Sequence, residues 1–442
     1  MITYKFRDIF NISSPLALGM FIQVMVGVTD TAFLGRVGEI ELGASAIGGI
    51  FYLLIFMIAQ SFSVGAQIIM ARRNGEQNYV KIAQVFYQTI SFIFLFSIIS
   101  IAGIYFGASS VLDFIVESDI IKNAVLIYLL PRCWGLFFSG AKTALRSFFV
   151  ALTTTKQLLP AALILMISNF VFDYWLIFGG FGIEPMGLKG AAIASVLAEG
   201  LAVLYLVIYI LLFVNLRKYG FHKFLLWSQS LFNEIFRLSI WIIVQNLLSW
   251  GAWFYFFIEI EKLGASELAV SNILRSLSSL PFILANALAM VTSSVVSNLI
   301  GAGKEREVIA TIKRILQFAA VPYYGFFVLI AFIPTLFLQI YTNDVNIIQQ
   351  SIAPFYTMMF TYFTALPGMI YFYAIYGTGK TKVAFWIEFW CSIAYIITIR
   401  LVVGIMQLDL MWCWMCELSY YLILFPVSYW YIKRNKWCCE IV

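Results

Sequence analysis

The sequence predicts an all-α membrane protein with twelve transmembrane helices in two six-helix lobes. Two facts about composition support this fold class: 62% of the 442 residues are hydrophobic, and only 11% are charged. An ordinary soluble domain has about 25% charged residues. This chain has less than half of that share, so it is not a soluble domain. The apolar runs also last as long as the roughly 20 residues that a membrane helix needs, without the alternation typical of an outer-membrane barrel.

The twelve predicted spans follow one another with short connections. They lie at about residues 13–35, 44–70, 84–106, 123–149, 158–178, 188–214, 236–260, 269–298, 315–340, 350–376, 384–405 and 410–432. Most lysines and arginines fall in alternate connections and at the two termini, so the positive-inside rule places both termini in the cytoplasm, with the protein in the inner (plasma) membrane. These basic connections mark topology and require no nucleic-acid partner.

The two halves of the chain repeat each other at a constant offset of 226 residues. Asp8–Ser13 reappears as Glu234–Ser239, and Thr155 and Lys156 meet Thr381 and Lys382. In the same register, five further positions match; they are Gly38, Glu41, Leu42, Ser45 and Ile47 against Gly264, Glu267, Leu268, Ser271 and Ile273. Three matching patches in one register indicate an internal duplication.

The repeat predicts an N-lobe at 1–216, a cytoplasmic linker at 217–233 that holds His222, and a C-lobe at 234–442. Each half has an even number of spans, so the two lobes share one orientation and are related by a pseudo-two-fold axis along the membrane normal. Transporters commonly bind substrate between such repeats. A channel or a lipid flippase would also suit this organisation.

Acidic residues inside the spans indicate a mechanism, because a charge at mid-bilayer costs about 2.5–3.5 kcal/mol. Asp30 and Asp173 follow Pro15 and Pro160 by similar distances, which places both at roughly 20 Å above the inner face. Asn169 lies one helical turn from Asp173 on the same face. Neighbouring carboxylates in a low-dielectric pocket favour proton binding, and oxygen ligands also suit a hard cation such as sodium. The alternative is that Asp30 and Asp173 are structural caps.

Several motifs resemble the multidrug and toxic compound extrusion (MATE) family. They are Pro15, Val28-Thr29-Asp30 with Gly35 and Gly38, the loop Arg72 to Glu76, Asn169-x-x-x-Asp173, Gly187-x-x-Gly190-Ala191-Ala192 and Gly301-Ala302-Gly303. The likeness covers nearly the whole chain and looks closest to the DNA-damage-inducible F branch. It implies that Asp30, Asn169 and Asp173 form an N-lobe cation site, with Ser195 as the nearest candidate for a hydroxyl ligand from span 6.

The C-lobe lacks the acids of the N-lobe, since Phe256 and Ile399 stand in register with Asp30 and Asp173. Acids in the middle of spans 7 and 10, which the sodium-coupled branch of the family carries, are poorly matched here. Arg400 and Glu417 have similar predicted depths, and we expect them to form a structural ion pair, because an unpaired buried charge is costly.

Other polar residues in the spans have simpler interpretations. Glu199 either lines the N-lobe cavity or bonds a neighbouring helix, and Glu388 has Lys382 as a candidate partner. Arg132 and Arg275 are expected to extend outward along their helices. Candidates for lining a substrate cavity are Gln60, Asn246, Trp250 and Phe256, and aromatic side chains would attract organic cations.

Nothing in the sequence indicates an enzyme. The spans contain no histidine, and the chain has no Gly-x-x-x-x-Gly-Lys-Ser/Thr loop for ATP. Cys413-x-x-Cys416 has no second ligand pair, so no metal site is expected apart from possible sodium binding at Asp30, Asn169 and Asp173. The prediction is therefore a monomeric antiporter without a cofactor, driven by a gradient of protons or sodium.

The expected partners of this antiporter are amphipathic cationic small molecules and membrane lipids. The alternative function is a lipid-linked precursor flippase or polysaccharide exporter of related architecture. A flippase for anionic pyrophosphate lipids should place several arginines or lysines in its central cleft. Most basic residues within the spans lie near span ends, which favours the antiporter.

Overall fold

The computed structural model describes residues 4–180, 182–221 and 227–434. Eleven of its helices are long and apolar enough to cross a membrane, and one bent pair of helices completes a twelfth span. The spans are Phe6–Val37, Glu39–Gly75, Tyr79–Ile115, Asp119–Arg132 with Gly135–Ala151, Leu158–Phe178, Gly187–Phe213, Gln229–Glu261, Ala265–Gly301, Val308–Phe332, Val345–Thr378, Thr381–Ile399 and Leu410–Lys433. The prediction of an all-α membrane protein with twelve spans is confirmed.

Four short helical segments complete the secondary structure. A single helical turn, Leu216–Tyr219, follows span 6, a 3₁₀ turn at Glu305–Glu307 precedes span 9, and the helix Pro334–Gln339 follows span 9. Span 11 continues into the π-helical segment Arg400–Ile405. The predicted linker residue His222 lies outside the described residues.

The described chain forms two compact units. The first comprises Ser14–Ser239, and the second combines the residues up to Ser13 with those from Ile240 onward. The boundary therefore falls inside the helix of span 7 and not in the predicted linker at 217–233. The start of span 1 belongs to the second unit through side-chain packing, in which the Phe10 ring meets the edge of Phe318 at 6.2 Å.

Two elements of the sequence repeat have the same local structure in both halves. Ser13 and Ser239 are buried, and each hydroxyl donates to the carbonyl four residues earlier at 2.8 Å. Gly38 and Gly264 immediately precede spans 2 and 8. At each glycine, a Cβ atom would overlap the carboxylate of the glutamate three residues later, Glu41 or Glu267. The repeat thus preserves a serine that bonds within its own helix and a glycine that directly precedes the next helix.

Span 4 bends by 50° between its two helices. Pro131 lacks the N–H that would continue the hydrogen-bond ladder, and a proline of this kind is a usual cause of a kink. Gly135 opens the second helix, where a Cβ atom would overlap the Arg132 guanidinium. The bend therefore creates room for a buried arginine within the first unit.

Small residues bring spans 5 and 6 close together. A Cβ atom at Gly190 would overlap the backbone carbonyl of Leu176, so only glycine fits this crossing. Close approach through small residues is typical of helix packing in membranes. It places the polar residues of span 5 beside those of span 6.

Candidate functional site

The structure brings together the four residues that the sequence predicts as a cation site. Asp173, Asn169 and Ser195 are buried, and Asp30 is partly buried. The Ser195 hydroxyl donates a long hydrogen bond of 3.5 Å to Asp30 Oδ2. Asp30 also lies close enough to Asp173 and Asn169 to interact with both. Spans 1, 5 and 6 together build this cluster, which we call the carboxylate cluster.

Several atoms of the carboxylate cluster make no hydrogen bond of good geometry with any of the described residues. They are both carboxylate oxygens of Asp173, Oδ1 of Asp30, and the amide oxygen and nitrogen of Asn169. Each buried polar group left in this way costs about 1–3 kcal/mol. The atoms of the carboxylate cluster that could bind an ion are all oxygens, which suits a proton or a hard cation.

Tyr128 is a neighbour of the carboxylate cluster that the sequence reading missed. It interacts electrostatically with Asp30 and with Arg132. Its ring fills the space beside Gly48 of span 2, where a Cβ atom would lie 2.7 Å from Tyr128 Cδ1. Its position could have been inferred from the sequence, because Tyr128 lies one helical turn before Arg132 on the same helix.

Arg132 and Glu199 form a buried ion pair that joins spans 4 and 6. Arg132 Nη2 lies 2.9 Å from Glu199 Oε1, and Nη1 lies 3.1 Å from Oε2. The guanidinium stacks 3.8 Å from the centre of the Tyr52 ring, whose hydroxyl is 2.6 Å from Ser139 Oγ. The prediction that Arg132 extends outward is wrong, because this bidentate partner compensates its charge inside the unit. Glu199 bonds a neighbouring helix, which was one of its two predicted interpretations, and its role in lining a cavity stays a prediction.

The predicted Arg400–Glu417 ion pair does not form. Arg400 Nη1 lies 3.8 Å from Glu259 Oε1, which also accepts a hydrogen bond of 2.8 Å from Lys262. Glu417 instead accepts a hydrogen bond of 3.4 Å from the Tyr362 hydroxyl. Equal depth along two helices does not fix which faces meet, and here Arg400 faces span 7.

Glu388 is also bound differently from the sequence prediction. The Tyr420 hydroxyl lies 2.8 Å and 2.7 Å from its two carboxyl oxygens, and Ser249 makes a further short hydrogen bond. Lys382, its expected partner, places its ammonium 5.5 Å from the centre of the Trp241 ring. Glu388 is thus held by hydroxyl groups and not by a cation.

The residues predicted to line a cavity have different environments. Gln60 and Asn246 are partly buried, and Trp250 is exposed. Phe256 is only 2% exposed and packs against Tyr395 and Trp414. Phe256 therefore belongs to the core of the second unit, and its assignment to a cavity wall is wrong.

The MatE family model matches the chain twice, at residues 15–175 and 242–400. A probable multidrug resistance protein NorM from Idiomarina loihiensis is 21% identical over 320 residues, which cover 72% of this chain and 69% of the relative. A protein of the same name from Thermotoga maritima is 24% identical over 399 residues, with 85% of this chain and 80% of the relative covered. The predicted place in the DNA-damage-inducible F branch stays a prediction.

Solved structures of transporters share the fold. A MOP superfamily transporter from Pyrococcus furiosus, described as having a binding pocket of reverse polarity, aligns with a TM-score of 0.89 at 15% identity over 99% of this chain and 97% of that one. The outward-facing structure of a multidrug resistance MATE family transporter aligns at 0.88, also with 15% identity, over 97% and 95% of the two chains. This chain is a multi-pass membrane protein that belongs to the MatE family, whose members are transporters rather than enzymes.

Proposed function

We propose that this protein is a secondary antiporter that exports amphipathic organic cations while protons or sodium ions enter through the carboxylate cluster. The multidrug resistance names of the NorM relatives support the substrate class. Carboxylates paired inside a membrane domain support the coupling role, because intramembrane acids mark ion pathways in transporters.

One observation carries this proposal: the buried oxygens of Asp173 accept no hydrogen bond of good geometry from the described residues, while a second carboxylate, Asp30, lies beside them. A proton on either carboxylate supplies the missing donor and removes the repulsion between the two charges. A sodium ion coordinated by oxygen atoms of Asp30, Asp173 and Asn169 would have the same effect. Binding of either ion would therefore satisfy the same carboxylate oxygens and remove the repulsion between them.

The cluster also offers a route from ion binding to helix movement. Asp30 is on span 1, whereas Asn169 and Asp173 are on span 5. Two unneutralised carboxylates push these helices apart, and a bound proton or sodium ion lets them close. Probes on cysteines introduced along span 1 should therefore react at different rates at acidic and alkaline pH. Equal rates would contradict this step.

Transport in proteoliposomes tests the proposed function. We expect a fluorescent organic cation to move under an imposed pH or sodium gradient with the native protein, and not with Asp30→Asn. Glu261→Gln serves as the control, because Glu261 is an exposed carboxylate at the end of span 7 and should leave transport unchanged. If folded native protein moves no cation under either gradient, the antiporter is refuted and the flippase becomes the better hypothesis.

We further propose that both termini face the cytoplasm, that the protein lies in the inner membrane among lipids, and that it works as a monomer. The support for the orientation is the concentration of lysine and arginine in alternate connections. Labelling of single cysteines at Asn78 and at Ser118, which lie in consecutive connections, should give opposite sidedness. Labelling of both from the outside would contradict the orientation.

A further inference from the structure

The second unit contains a buried carboxyl group that the mechanism above does not use. Glu388 lies on span 11 and contacts residues of spans 7 and 12. Spans 7, 11 and 12 are the repeat counterparts of spans 1, 5 and 6. We propose that Glu388 is a second proton-binding site, which takes up and releases a proton reversibly. Its use in transport rests on the proposed antiport, but its protonation does not.

Three hydroxyl groups surround the Glu388 side chain, which is 1% exposed. Tyr420 Oη lies 2.8 Å from Oε1 and 2.7 Å from Oε2, and Ser249 Oγ makes a short contact with Oε1. Ser392 lies one helical turn from Glu388, is fully buried, and interacts with it. The Ser392 hydroxyl has no hydrogen-bond partner of good geometry among the described residues.

The number of hydroxyl hydrogens around Glu388 favours the protonated form of its carboxyl group. Ser249 has one hydroxyl hydrogen, but its oxygen lies near two acceptors, the Gln245 carbonyl at 3.1 Å and Glu388 Oε1. A proton on Oε1 solves this conflict, because Glu388 then donates to Ser249 and Ser249 donates to Gln245. Tyr420 meanwhile donates to the free oxygen, Oε2.

The same hydroxyl groups also satisfy the ionised form. After the proton leaves, the Ser249 hydroxyl turns from the Gln245 carbonyl to the carboxylate, and Tyr420 keeps its hydrogen bond. Ser392 provides a third donor one turn away. The step breaks and re-forms the bond between Oε1 and hydrogen, and the proton is exchanged with water. Because only hydroxyl hydrogens rotate, both protonation states fit one packing arrangement.

No fixed charge holds Glu388 in one state. It forms no ion pair with any lysine or arginine in the described part of the chain, and the titratable groups that interact with it are Tyr376 of span 10, Cys391 of span 11, and Tyr420 and Tyr421 of span 12. From span 7 it meets the neutral Ser249. A buried carboxylate with only neutral neighbours is costly, which favours proton binding.

Glu259 provides the matched contrast within the same unit. It is also a buried glutamate, but Lys262 and Arg400 lie within ion-pairing distance of its carboxylate. These cations stabilise the ionised form of Glu259. The two glutamates therefore differ in charge compensation while sharing residue type and burial.

Infrared spectroscopy of the purified protein in nanodiscs tests the proposal, because a protonated carboxyl group has a carbonyl stretch distinct from that of a carboxylate. We expect Glu388→Gln to lose one protonated-carboxyl component that the native protein and Glu259→Gln retain. In the native protein this component should disappear and return when the pH is raised and lowered. Size-exclusion chromatography and thermal unfolding check that each variant is folded.

Two outcomes would overturn the proposal. One is an unchanged protonated-carboxyl signal in folded Glu388→Gln, which would show that Glu388 is ionised. The other is a component that depends on Glu388 but never responds to pH while the protein stays folded, which would make the acid purely structural. The signal should persist in Asp30→Asn, so a failure of antiport through the carboxylate cluster leaves this result unaffected.

Discussion

The two units of this transporter share a helical framework and differ in how they treat buried charge. The first unit combines unsatisfied carboxylates at Asp30 and Asp173 with a buried bidentate pair, Arg132 and Glu199. The second unit holds Glu388 and Glu417 with hydroxyl groups and pairs Glu259 with cations. The first unit thus buries both partners of an ion pair, whereas the second holds two of its buried acids with neutral hydroxyl groups.

This difference shows what a duplicated helical framework needs to keep. Ser13 and Ser239 make the same hydrogen bond in the two halves, each to the carbonyl one turn earlier in its own helix. Asp30 and Phe256 occupy matching positions but have opposite chemistry, and Phe256 packs in an aromatic core. A local hydrogen bond thus recurs in both halves, while the matching positions 30 and 256 have taken on different side chains.

The largest expected effect comes from breaking the ion pair of the first unit. Arg132→Ala leaves Glu199 as a buried, unpaired charge, and we expect a loss of about 3–5 kcal/mol in the free energy of unfolding. Thermal unfolding of the purified variant measures this change. The double variant Arg132→Leu with Glu199→Leu should recover part of the stability. A single variant as stable as the native protein would show that the pair contributes little.

A smaller effect is expected from filling the space at the bend of span 4. Gly135→Ala places a Cβ atom on the Arg132 guanidinium, and we expect a destabilisation of about 1–3 kcal/mol. The control in the second unit is Gly251→Ala, where a Cβ atom meets nothing within 4 Å. Comparing the two midpoints of thermal unfolding tests the prediction, and equal midpoints would contradict it.

Removing one ligand from the carboxylate cluster should weaken ion coupling without abolishing it. For Asn169→Ala we expect the ion concentration for half-maximal transport to rise about tenfold, the change that corresponds to one hydrogen bond or ligand. Asn272→Ala is the control, because the Asn272 amide of span 8 donates to the Leu268 carbonyl of its own helix. Equal half-maximal concentrations in the two variants would show that Asn169 does not take part.

The smallest effect concerns the exposed ion pair of the second unit. The Arg400 side chain is 57% exposed and lies 3.8 Å from Glu259, so its contribution is limited by solvent screening. We expect Arg400→Ala to change the free energy of unfolding by about 0–1 kcal/mol. A loss as large as that of Arg132→Ala would mean that the two units treat charge alike.

Much of the fold and part of the site follow from the sequence. Continuous apolar runs identify the spans, because a chain that crosses lipid must satisfy its backbone hydrogen bonds internally and a helix does so. The proximity of Asp30, Asn169 and Asp173 could be predicted from the similar depths of the two acids and from the helical spacing of Asn169 and Asp173. Ser195 was suggested by the family resemblance, and the structure places its hydroxyl beside Asp30. Their role in ion coupling remains a prediction.

The errors arise where depth was known and orientation around the helix axis was not. Arg400 and Glu417 have similar depths but do not face each other. Arg132 and Glu199 were not paired, although they lie at matching distances from the starts of helices that run in the same direction. The bend of span 4 decides this pairing, and Pro131 followed by Gly135 was the signal for it in the sequence.

The break in span 4 also has a consequence for biogenesis. Its two helices have 14 and 17 residues, each shorter than the roughly 20 that cross a bilayer alone, and Arg132 adds an insertion cost of about 2.5–3.5 kcal/mol. The compensating Glu199 is translated later, on span 6. We therefore expect span 4 to insert stably only after the ribosome has synthesised span 6. In glycosylation mapping, a nascent chain truncated after span 5 should leave span 4 incompletely inserted, and one extended through span 6 should not.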